Sequence, residues 1–309
     1  MNDDNAILFD SYPLADDIDC TILMHRDAHF SGKFSFMIDY YAQEGKGALV
    51  EIPLERISYL AHAEEIGQQN LSPLLLSGKD AESVARAKTA YKQLRDLYET
   101  ETSENSHLKL IADLILSEEE IPEKEVAAIV KEGSSMLPGL INLLTTEEFL
   151  DPLFPGYGYG PELAAIALGK IGHESAIIPL FETLGREGFF IEEAILEALK
   201  NIGASAKNFL IQALISRPIT LDNEKAAMAL TYFSEDEEIA PLALQQLQAH
   251  SIVAHPQLAT YLILMCEGLK AQEERTIFKN LSSDPIFSDD LTYEMKMIIR
   301  SWKDNTLLK

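Results

Sequence analysis

The sequence predicts an all-α chain in which paired helices stack into an α-α superhelix, preceded by an additional N-terminal helical region. Two observations predict it. Ala167, Leu168, Ile171 and Gly172 return 31 residues later as Ala198, Leu199, Ile202 and Gly203, and after the same interval again as Ala229, Leu230, Phe233 and Ser234. A fixed repeat of this length is one supersecondary unit, which buries its apolar face only by stacking on copies of itself. In the rest of the chain, apolar residues recur at helical spacing, with Gly, Pro and capping side chains at the ends. The period assigns 121–309 to the repeats and 1–120 to the N-terminal helical region.

In the N-terminal region a helix starting at Ser31 or Gly32 runs to Gln43 and ends before Gly45-Lys46-Gly47. Pro53 opens the next, through Ile66 to a stop at Gly67. Asp80 caps a long helix through Tyr98, with Val84, Ala87, Tyr91, Leu94 and Tyr98 as its buried stripe. Glu99 to Asn105 is polar and loop-like, and His107 to Leu116 is again amphipathic. A weaker copy of the repeat follows, with Ala128, Ile129 and Gly133 lying 39 residues ahead of Ala167, Leu168 and Gly172. Its second helix is Met136 to Leu144, and the extra residues form a loop.

The first clear unit pairs Pro161–Gly172 with Glu174–Arg186, and Gly185 and Gly188 punctuate its end. Gly172 supplies the left-handed conformation that ends a helix, and Pro179 sits near the first turn of the second. The second unit pairs Phe190–Ile202 with Ala206–Ser216, and the third pairs Leu221–Phe233 with Glu235–Ala249. Pro256–Glu267, Gln272–Leu281 and Leu291–Trp302 continue as helices with the pattern eroded, as expected of terminal capping repeats.

The run Ala164-Ala165-Ile166-Ala167-Leu168-Gly169-Lys170-Ile171-Gly172, matched again by Ala194 to Gly203, resembles the first-helix signature of short HEAT repeats of the phycobilisome lyase-like type. The resemblance implies small residues where first helices meet, a glycine at the turn, and second helices lining the concave face of the superhelix. It does not carry over an enzymatic activity. HEAT-like iron hydroxylases place a His-Glu pair ahead of the Ala-Leu-Gly segment, where this chain has Glu162-Leu163 and Glu193-Ala194. HEAT-like DNA glycosylases need a cationic groove, whereas Tyr157 to Ser251 holds six Lys and Arg against thirteen Asp and Glu.

Charge bounds the partners. The net charge of −25 repels polyphosphates and anionic headgroups, so nucleic acid and membrane surfaces are not expected partners; the scattered acidity forms solvated faces that keep the chain soluble, or else attracts another protein with a basic surface. Cys20 and Cys266 are far apart in apolar company, which suggests neither a disulfide framework nor a cysteine zinc site. The acidic start Met1-Asn2-Asp3-Asp4-Asn5 is unlike a secretory signal, and a cytoplasmic location is expected. No cofactor is implied.

Three groups of residues are candidates for function. His25, Asp27 and His29 have metal-ligand chemistry, but on a helix Asp27 points away from the two imidazoles, so only a non-helical turn gathers them. Capping and packing against Phe30 and Phe34 is the competing role. The segment Asp151 to Pro161, rich in Pro and Gly, is expected to display Phe154, Tyr157 and Tyr159 as an aromatic anchor or else to plug the gap between repeats. Aligning Leu184, Leu214 and Leu247 puts Glu182, Gln212 and Gln245 in one slot of the second helices, a polar ladder suited to an extended peptide or helix. The function expected is a non-catalytic protein-binding scaffold or adaptor, with a metal-dependent enzyme at His25, Asp27 and His29 as the alternative.

Overall fold

The computed structural model describes residues 17–100, 106–185 and 189–307, and among them the fold is all-α with no strand. The packing divides the chain into two compact units, Met1–Ala164 and Ala165–Lys309. This division falls later than the one the repeat suggests at residue 120, because the helices of 107–145 pack with the N-terminal ones.

In the first unit, α1 (Asp17–His29), α2 (Phe34–Ala42), α3 (Leu54–Gly67) and the short α4 (Ser72–Leu75) precede the long α5 (Gly78–Thr100). They are followed by α6 (His107–Leu116), α7 (Glu123–Glu132) and α8 (Leu137–Thr145). α1 lies against α3, α4 and α5, α2 against α3, and α6 against α5, α7 and α8. The core between α1, α2 and α3 is built on Ile22, Leu23, Met37, Ile57 and Leu60, all fully buried. At the start of α5 Ser77 and Asp80 cap reciprocally: the Ser77 N–H donates to Asp80 Oδ2 at 3.0 Å, and the Asp80 N–H donates to Ser77 Oγ at 3.2 Å. Of the polar stretch expected at 99–105, Glu99 and Thr100 belong to α5, and 101–105 lie outside the described residues, as do Arg186 and Gly188.

α9 (Gly160–Ile171) runs from the first unit into the second, which continues with α10 (Ile177–Thr183), α11 (Phe189–Ile202), α12 (Ala204–Ile215) and α13 (Leu221–Leu230). It ends with α14 (Ile239–Leu247), α15 (Pro256–Met265), α16 (Gln272–Leu281) and α17 (Asp289–Leu307). α11 packs on α12 and α13, α13 on α12 and α15, and α14 on α15 and α16. The positions that echo in sequence share one environment: Ala167 and Leu168, Ala198 and Leu199, and Ala229 and Leu230 are all buried. Gly169 shows why small residues are needed there, since a Cβ on it would lie 2.6 Å from the Cα of Ala198. Gly172 and Gly203 both take positive φ, at 68° and 80°, whereas Ser234, in the third copy, has an ordinary φ of −59°.

Candidate functional site

The sequence-predicted residues of the first unit meet around the end of α1. His29 is held at both nitrogens. The Pro152 carbonyl, which only accepts, lies 3.0 Å from Nε2, so Nε2 carries the hydrogen and Nδ1 accepts from the Tyr91 hydroxyl at 2.7 Å. Burial and the neighbouring His25 push the His29 pKa down to about 3, partly opposed by the Pro152 bond. His25 lies beside it, ring centroids 5.1 Å apart and planes tilted by 45°, and is only 4% exposed. Burial pushes its pKa down to about 4, and its Nδ1 has no hydrogen-bond partner among the described residues.

Asp27 belongs to a different network. It accepts from Arg26 Nε at 2.8 Å, and Arg26, fully buried, also donates to Glu64, to Asn70 Oδ1 at 2.9 Å and to Ser72 Oγ at 2.8 Å. The metal site read from His25, Asp27 and His29 is therefore not assembled. α1 is a regular helix, His29 has no nitrogen to spare, and among the described residues no group of three His, Cys, Asp or Glu is placed to hold a metal ion.

The proline- and glycine-rich loop turns inward rather than displaying its aromatic residues. Phe154 is 4% exposed and packs with Leu153 against Ala28, Val84 and Ala87, while Tyr157 and Tyr159 are half-buried. Tyr157 adopts a left-handed φ of 55° between Gly156 and Gly158, and its ring lies against His29, centroids 4.8 Å apart and planes tilted by 40°, and over Gly47. A Cβ on Gly158 would lie 2.9 Å from the Leu150 carbonyl oxygen, which explains that glycine.

The Tyr157 hydroxyl donates to that of Tyr40, which in turn donates to Glu118 Oε2 at 2.9 Å and accepts from the Gly47 N–H at 3.0 Å. Burial raises the pKa of Tyr40, Tyr91 and Tyr157 above the ordinary phenol range, so these groups stay protonated. Lys46, its pKa lowered by burial, donates to the carbonyls of Ser117 and Glu119, each at 3.1 Å. With neutral imidazoles, protonated phenols and a lysine bonded to two carbonyls, this cluster locks the loop onto α1, α2 and α5. The sequence reading missed Arg26, Tyr40, Lys46 and Glu118; Gly45-Lys46-Gly47, read only as a helix stop, was the signal for the seat of Tyr157.

The remaining predicted residues are on the surface of the second unit. Glu182, Gln212 and Gln245 are all exposed, on α10, α12 and α14, each two positions before a buried leucine: Leu184 at 1%, Leu214 at 2% and Leu247 at 1%. The helices that pack successively, α11, α13 and α15, carry a second polar surface. There Glu192, Glu193 and Glu197 raise the pKa of Tyr232, after burial, and Glu192 and Glu224 do the same for Tyr261. None of these four carboxylates forms an ion pair among the described residues. Lys207, by contrast, is shared by Asp236 and Glu238 at 2.8 and 2.6 Å.

No protein-family model matches the chain, and no curated protein matches it. Among the described residues no helix is long and apolar enough to cross a membrane.

Proposed function

We propose that this chain is a non-catalytic protein-binding scaffold, with a short HEAT-like superhelix in its second unit and a partner that presents a basic surface. The observation that carries the reading is the common placement of Glu182, Gln212 and Gln245. Three successive second helices expose a hydrogen-bonding side chain in the same slot above a buried leucine. A row of this kind suits an extended peptide or a helix laid across it. The carboxylates of 192, 193, 197 and 224, without ion-pair partners among the described residues, favour a cationic partner, and the chain's charge of −25 steers it in. A cytoplasmic location fits this reading, and Cys20 and Cys266 form no disulfide with each other.

The test is affinity purification of the full chain from its native cell at native abundance, beside a variant carrying Glu182→Lys, Gln212→Lys and Gln245→Lys. The expected result is one partner enriched at near-stoichiometric level by the parent chain and lost from the variant, with the helical circular dichroism of both unchanged. A partner retained at full level by the folded variant contradicts the ladder as the binding face. The absence of any partner contradicts the scaffold reading as a whole.

A further inference from the structure

We draw no further inference here: the strongest candidate, the open apolar cleft between the starts of α10 and α12 where Ile178 stands 55% exposed beside Phe209, carries no proposal, because nothing in the structure shows what covers it.

Discussion

Asn223 joins two helices with a single amide. Its Nδ2 is directed at the carbonyls of Ala213, Leu214 and Ser216, at 3.0, 2.8 and 3.0 Å, at the end of α12. Its Oδ1 accepts from the Thr220 N–H at 2.7 Å and completes a capping box at the start of α13. Asn223→Asp keeps the oxygen that the box needs but turns a second oxygen toward three carbonyls in a fully buried position. Losing the donor and repelling the acceptors should destabilise the second unit by about 2–3 kcal/mol. Thermal unfolding followed by circular dichroism checks this, and an unchanged midpoint would remove Asn223 as the link. Asn223 was invisible to the sequence reading because the partners of its amide are backbone atoms of the preceding helix, which no side-chain pattern records.

At the scale of elements, α1 is the helix whose character the sequence hid. Its buried face includes Asp19, His25 and Arg26 as well as Ile22, Leu23 and Ala28, so no apolar period stands out. The polar members are tolerated because Asp19 pairs with Arg56 at 2.6 Å and Arg26 has its own carboxylates. Helices with apolar stripes were legible: His107–Leu116 and Gln272–Leu281 were read with the bounds they have. For the loop at 151–160 the sequence left display and plugging both open, and its seat was not legible, since the residues that hold Tyr157 are distant in sequence.

The same helix carries a pH dependence. His25 and His29 have folded pKa values of about 4 and 3, below the ordinary value of 6.5, because burial favours the neutral form. Their contribution to stability is complete above 6.5 and is lost as pH falls through the folded values, because the unfolded chain takes up the protons first. For His25 the loss approaches about 3 kcal/mol once the pH is below its folded value. Denaturant midpoints of the first unit should therefore fall between pH 6.5 and 4.5, before most carboxylates titrate. His25→Gln should flatten that slope, and a slope unaffected by the change would contradict the assignment.

Across the whole molecule, net charge sets how association with a partner responds to salt. A chain of −25 associates with a cationic partner faster at low ionic strength, so raising salt should slow association while leaving dissociation nearly unchanged. The 31-residue echo was legible at this scale because each copy meets the same demand: a buried Ala-Leu pair in every one, and a positive-φ glycine after the first two. A binding role was not legible in the repeat, since any solvent-facing slot is polar and Gln212 reads in sequence like any other surface residue. Hydrogen exchange of the full chain with and without its co-purified partner separates these. The scaffold account predicts that slowed exchange concentrates in α10, α12 and α14 around Glu182, Gln212 and Gln245; protection confined to the first unit, or to none of these three helices, would contradict it.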